Sequence, residues 1–194
     1  MSTREDGLAA ARFLTIADVI RSRRTTLLVD RDEPVPETLV ETLCELARWA
    51  PCHKRTWPWV FASLTGDARR RLGDAAADAL AALGEDDARI AKTRTKYLRA
   101  PTMLVVGARH GDDDVRTTEN RDAVCAAVEN LLLAATAAGL GSYWSSCPAG
   151  AERAVAEVAG FTEAVSVIAV VYLGWPIRPC PPPERPPVDL VHVS

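Results

Sequence analysis

A chain of 194 residues, 48% hydrophobic and 25% charged, is long enough for one domain with its own core and too short to expect two. Its net charge of −3 provides no global field for DNA or RNA, so any basic surface is local. Residues 1–10 are polar and acidic with no apolar segment behind them, so no secretory leader is expected, and LLLAATAAGLG and VSVIAVVYLGW are too short to span a bilayer.

In chain order, LTIADVIRS (14–22) reads as a short helix, followed by an extended RRTTLLV. DEPVPETLVETLCELARWA is a helix: Pro36 suits its first turn, Glu37 faces the positive dipole end, and Leu39, Leu43 and Leu46 recur at helical spacing. Pro51 stops it. WVFASLT alternates as a strand, and GDARRRLGDAAADALAALG and DDARIAKTRTKYLRA are two helices. TMLVVGAR is almost wholly apolar, hence a strand buried on both faces, and HGDDDVR is a solvated acidic loop. TTENRDAVCAAVENLLLAATAAGLG is the longest helix, apolar on nearly every side after its first turns and therefore expected to be buried all round, with Gly139 supplying a left-handed end. SYWSS is a short strand, AGAERAVAEVAG a helix and VSVIAVVYLGW the last core strand. PIRPCPPPERPP then holds seven prolines and runs extended. VDLVHVS reads as an arm that packs on a partner subunit, with a disordered tail as the other reading. The expectation is a single α+β domain with a small mixed central sheet inside a helical shell, its core at about 14–175 and an extended arm over 176–194.

The chemistry-bearing residues concentrate in WAPCHKRTWPW, which packs three of the five tryptophans beside a cysteine, a histidine and two cations. Metal ligation is disfavoured: His53, His110 and His192 make no ligand motif, and adjacent Cys52 and His53 point apart. A Cys–His nucleophile lacks an orienting third group. The five cysteines, Cys44, Cys52, Cys125, Cys147 and Cys180, are odd in number and form no C-x-x-C, which argues against a disulfide framework and fits a reducing cytoplasm. No P-loop or strand-borne G-x-G-x-x-G is present, so a bound phosphate needs side-chain donors, and RSRRTT supplies two arginine forks and hydroxyls; a solvated basic helix end is the competing reading.

Together SRRTT, APCHK…PW, AAGLGSYWSS and YLGWP, in this order, resemble the nitroreductase family of FMN-dependent NAD(P)H oxidoreductases, in particular its small YdjA-like branch, from about Ile16 to Trp175. The resemblance implies a homodimer with FMN in two interface clefts built by both subunits. It implies that Arg23, Arg24 and Thr25 hold the FMN phosphate and ribityl end. Trp49 and His53 would contact the flavin from the APCHK loop, and Trp144, Ser145 and Ser146 would lie beside its ring. Ala134, Ala135, Thr136, Ala137, Ala138 and Gly139 occupy the segment associated with nicotinamide nucleotide. Hydride would pass by ping-pong from NADH or NADPH through flavin N5 to a small-molecule acceptor such as a nitroaromatic or quinone. No nucleic acid or membrane partner is implied. The flavin carries the chemistry, so no catalytic triad is required. Three positions depart from the family pattern: Trp57 replaces Gln, and Ser145 and Trp49 replace Arg. Two cations are thereby lost near the flavin, which makes a flavin-binding or sequestering protein without efficient turnover the alternative reading.

Overall fold

In the computed structural model, which describes residues 2–193 with side chains from Gly7 onward, the chain runs α1 (Ser2–Ser22), α2 (Glu37–Ala47), β1 (Trp59–Thr65), α3 (Gly66–Ala82), α4 (Asp87–Lys96), β2 (Thr102–Arg109), α5 (Asp114–Ala137), β3 (Gly141–Ser145), α6 (Glu152–Val158) and β4 (Val165–Gly174). The strands form one sheet in the order β1-β2-β4-β3. Thr102 to Ala108 of β2 are all buried, as the apolar run predicts. On one face α2 and α5 cover Leu104, Val106, Val171 and Leu173. On the other, α3 and α6 cover Leu64, Met103, Val105, Val170 and Tyr172. The α+β class holds, but every strand pairing is antiparallel, not mixed. The crossover through α5 does run β3 parallel to β2, yet β4 inserts between them. The parallel component shrinks to one bridge, Thr25–Ser142.

Two further differences concern helices. α1 begins near the chain start instead of at Leu14, because the alanine-rich segment through Ala9–Ala11 continues its helix. α5 is not buried all round: Leu133 and Ala134 are half-buried and Ala137 is exposed. They border a groove of about 280 Å³ with Ile16 and Val19 of α1 and Leu46 of α2. One side of α5 meets the sheet and α2, and this other side meets α1 across an open groove. Gly139 ends α5 at φ 82, and Leu140 N–H donates to the Ala135 carbonyl at 2.9 Å.

Residues 25–29 cross the β3 and β4 ends in van der Waals contact. Thr26 N–H donates to the Ser142 carbonyl at 2.8 Å, and Asp30 N–H to the Trp175 carbonyl at 2.8 Å. Two glycines permit this approach: a Cβ on Gly141 would stand 2.8 Å from Val29 Cγ1, and one on Gly174 3.0 Å from Val29 Cβ. The arm is tied down at its root, where Pro176 bridges Val29 and Ile177 N–H donates to the Leu28 carbonyl at 3.0 Å. Beyond, Val188, Leu190, Val191 and Val193 are exposed.

Two measurements test this architecture. Gly141→Ala should cost about 1–3 kcal/mol in denaturant unfolding, because Val29 and Thr26 must shift. Alkali should also destabilise the fold. Burial pushes the Cys44 thiol up to about 11, the Cys147 thiol to about 12 and the Tyr172 phenol to about 12. These groups keep their protons in the native state at pH values where the unfolded chain loses them, from about 8.5 for cysteine and about 10 for tyrosine. The unfolded state then binds fewer protons and stability falls as pH rises. Lys96, lowered by burial, acts in the opposite sense. The denaturant midpoint should therefore decrease from pH 8 to pH 10.5.

Candidate active site

The bridge from Thr25 to Ser142 sets the predicted phosphate-binding segment beside β3, the strand that carries Trp144 and Ser145. Arg23, Arg24, Thr25, Trp144, Ser145 and Ser146 are thus gathered at one sheet edge. Arg23 Nη1 donates to Thr25 Oγ1 at 3.5 Å, and its Nε lies 3.5 Å from a Glu129 carboxylate oxygen. Arg24 Nη1 donates to the carbonyls of Arg21 at 2.6 Å and Arg23 at 2.9 Å. Arg24 Nε and Ser142 Oγ are buried without a hydrogen-bond partner among the described residues. A cavity of about 340 Å³ opens here, lined by Arg24, Thr26, Thr136, Gly139 and, from the arm, Arg178 and Cys180. Trp144 is half-buried against the α2–α5 core, whereas Ser145 Oγ donates to the Ser146 carbonyl at 3.1 Å.

The WAPCHKRTWPW loop lies at the other edge, leading into β1. Lys54, Arg55 and Trp57 take φ values of 57, 55 and 49. Left-handed backbone costs a non-glycine residue about 1 kcal/mol, so the loop needs external restraint. Buried Asn120, on the second turn of α5, supplies it. Thr56 Oγ1 donates to Asn120 Oδ1 at 2.6 Å, and Asn120 Nδ2 donates to the Arg109 carbonyl at 3.0 Å. Arg109 closes the circuit: Nη1 lies 3.2 Å from both the Trp57 and Trp59 carbonyl oxygens, and its N–H donates to the Pro58 carbonyl at 2.8 Å. The loop and the end of α2 enclose a slot of about 500 Å³ lined by Arg48, Trp49, Trp57 and Trp59.

His53 is exposed on a short 3-10 turn. Among the described residues no hydrogen bond joins its ring to Cys52, whose sulfur instead lies 3.4 Å from Thr56 Oγ1. A nucleophilic pair is not formed, and among the described residues no cluster could hold a metal ion.

The structure therefore places the predicted residues in two groups, one at each edge of the sheet. β1 and β3 are the opposite edges of the sheet, three strand spacings or about 14 Å apart. Trp49 and His53 fall on one side, the arginines and Trp144 on the other. The Ala134–Gly139 segment also divides. Ala135 is fully buried in the core and offers no surface to a nucleotide. Thr136 and Gly139 line the Arg24 cavity, Ala134 and Ala137 line the groove with α1, and Ala138 is exposed. Arg48, Arg109, Asn120 and Arg178 escape the sequence reading. Arg48 alone had a signal, its place next to Trp49. Asn120 sits in a polar helical turn that looks solvated in sequence.

With this geometry in place, the family follows. Residues 20–175 match the model described as the Nitroreductase family, and the chain belongs to it. It is similar to YdjA of Escherichia coli (strain K12), a protein assigned by name to the NAD(P)H nitroreductases: 29% identical over 161 residues, 82% of this chain and 87% of the relative. Among solved structures, a nitroreductase-like family protein from Bacillus cereus aligns with a TM-score of 0.76 at 26% identity, covering 91% of this chain and 95% of the other. A nitroreductase with bound FMN from Bacteroides fragilis NCTC 9343 shares the fold, with a TM-score of 0.71 at 22% identity over 91% of this chain and 98% of that one.

Asn120→Ala removes the partner of both the Thr56 hydroxyl and the Arg109 carbonyl. It should cost about 1–3 kcal/mol in chemical denaturation and change the near-ultraviolet circular dichroism of the Trp57–Trp59 pair.

Proposed function

We propose that the chain is an FMN-dependent oxidoreductase that takes hydride from NADH or NADPH and delivers it to a small-molecule acceptor, a nitroaromatic or quinone, as a homodimer. The observation that carries the reading is the pair of half-sites on opposite sheet edges, each incomplete alone. One edge offers Arg24 Nε and Ser142 Oγ, buried and without protein partners, beside a cavity that also presents Arg178. Such donors fit a phosphate. The other offers tryptophan faces and exposed His53. A second copy can bring its loop to the first copy's arginines. The groove between α1, α2 and α5, with Phe13, Leu14 and Ile20 of α1 exposed, gives that copy an apolar surface to cover. Its arm can lie across it.

Bound FMN supplies the two-electron chemistry between nicotinamide and acceptor. The chain's own residues do the rest. Arg24, with Arg23 and Thr25, holds the phosphate. Trp144, Ser145 and Ser146 would lie beside the ring from β3, and Trp49 and His53 would approach it from the loop of the second copy. Ser145 and Trp49 carry no charge, so Lys54 or Arg55 of the same loop would have to supply the cation that faces negative charge on the reduced ring. No helix of the described residues is long and apolar enough to cross a membrane.

One observation favours the second reading, flavin binding without efficient turnover. Glu129 stands 3.5 Å from Arg23 Nε, and no cation occupies position 145. The tests separate the two readings. The purified protein should be yellow, sediment as a dimer and bleach with NADH or NADPH. Bound FMN that dithionite reduces but neither nucleotide does would select the second reading, and a colourless protein that ignores added FMN would reject both. Arg24→Ala should weaken FMN retention at least tenfold, about the worth of one charge-assisted hydrogen bond.

A further inference from the structure

A cavity of about 100 Å³ opens between the ends of β2 and β4 and the first turns of α5, away from the arginines of residues 23–24. Its polar lining is Arg109, His110, Thr117, Thr118, Arg121 and Ser166, and no carboxylate side chain is among the lining residues. Two guanidinium groups that line one small volume repel each other, and an anion between them turns repulsion into attraction.

Most of these donors are unspent. Among the described residues Arg109 has no acidic partner, and its side chain donates through Nη1 alone. Arg121 lies 3.6 Å from Asp122, but the two side chains are 63% and 67% exposed, so water weakens that pair. Thr117 Oγ1 accepts from the Gly111 N–H at 2.9 Å, which leaves its own hydrogen for a ligand. His110 Nε2 and Ser166 Oγ are 2.8 Å apart. An anion selects the tautomer in which Nε2–H donates, because the serine hydrogen is then left to the anion. Thr118 is the exception, since its hydroxyl donates to the Asp114 carbonyl at 2.9 Å.

Neighbouring acids are engaged elsewhere or lie outside. Asp113 caps α5 by accepting from the Arg116 N–H at 2.6 Å. Beyond the His110–Ser166 pair, a second cavity includes Glu152, Arg153 and Glu163 in its lining, with Arg153 paired to Glu163 at 2.9 Å. The pair thus separates a cavity with cations and no carboxylate from one that carries both signs. Size narrows the ligand further. The volume holds about three water molecules at about 30 Å³ each and falls below the roughly 300–1,000 Å³ of organic-ligand pockets.

Arg109 joins this cavity to the tryptophan loop. Its Nη1 holds the Trp57 and Trp59 carbonyls at 3.2 Å, and Asn120 holds the Arg109 carbonyl at 3.0 Å. An anion that fixes this guanidinium reinforces the restraint on the left-handed residues Lys54, Arg55 and Trp57. We propose that the cavity of Arg109, His110, Thr117, Arg121 and Ser166 is an effector site for a free inorganic oxyanion, phosphate or sulfate, whose binding orders the tryptophan loop through Arg109. It is separate from the Arg24 cavity: Thr136, which lines the latter, is fifteen residues beyond Arg121 on α5, about 22 Å along the helix. The proposal does not rest on the oxidoreductase reading.

The test is calorimetric titration of the full-length protein with sodium phosphate and with sodium sulfate at constant ionic strength. Saturable binding is expected, with a rise in Tm and a change in the near-ultraviolet circular dichroism of the Trp57–Trp59 pair, whose ring centroids are 5.7 Å apart. Arg121→Gln should weaken phosphate binding at least tenfold while Tm in chloride and FMN retention stay unchanged, because Arg121 touches neither the loop nor the core. Phosphate also fits the Arg24 cavity, so the titrations are repeated in Arg24→Ala, where the affinity of this site should be unchanged. α-Glycerophosphate should bind at least tenfold more weakly than phosphate. No saturable binding, equal affinity in Arg121→Gln, or binding lost in Arg24→Ala would overturn the site. Binding that leaves the dichroism unchanged would overturn the link to the loop, and glycerophosphate binding as tight as phosphate would overturn the assignment to a free ion.

Discussion

The pairing of β2 with β4 is the constraint on which the rest of the molecule depends. Both strands lie at the centre of the sheet, and their buried side chains supply both hydrophobic clusters. Because β4 enters between β2 and β3, β1 and β3 become the two edges. The segments that precede them in space, the tryptophan loop and the Arg23–Val29 segment, are thereby carried to opposite sides. Had β3 paired directly with β2, the two groups of candidate residues would lie one strand spacing closer in a single chain. Strand order therefore places the two groups of candidate residues on opposite edges of the sheet.

Each group of candidate residues is positioned by a different physical device. At the β3 edge the device is close approach: Gly141 and Gly174 leave out the Cβ atoms that would collide with Val29, and the backbone of residues 25–30 hydrogen-bonds across the strand ends. That contact holds Arg24 with its Nε buried. At the β1 edge the device is restraint of strain. Three left-handed residues within four positions would relax in a free loop, and the circuit through Thr56, Asn120 and Arg109 prevents it. The first device costs little once glycine is present. The second opposes a standing backbone penalty, which is why an exposed tryptophan at its apex asks for a functional account.

Much of this was legible before any coordinates. The all-apolar run 102–108 could only be a two-faced buried strand, and the proline and glycine punctuation located α2, α5 and the arm. RRT and the tryptophan loop stood out as the chemical segments. What was not legible came from contacts between distant residues. Asn120 and Thr56 are far apart in sequence and each reads as ordinary surface polar, so nothing local announces their hydrogen bond. The open side of α5 looked buried because leucine and alanine do not reveal whether their cover comes from the same chain. Ala135 and Thr136 are neighbours in one motif, yet helical rotation sends one into the core and the other to the cavity.

The sequence by itself determined the element types, the apolar faces, the family resemblance and the residue chemistry gathered at RRT and WAPCHKRTWPW, because hydrophobic period, turn residues and motif order are local properties of a chain. Only the tertiary structure decided that the sheet is antiparallel throughout, that the two chemical segments lie on opposite edges, and that Trp57 is held in a left-handed conformation. Those features depend on which strands become neighbours and which buried polar groups find one another, and both are settled by long-range packing.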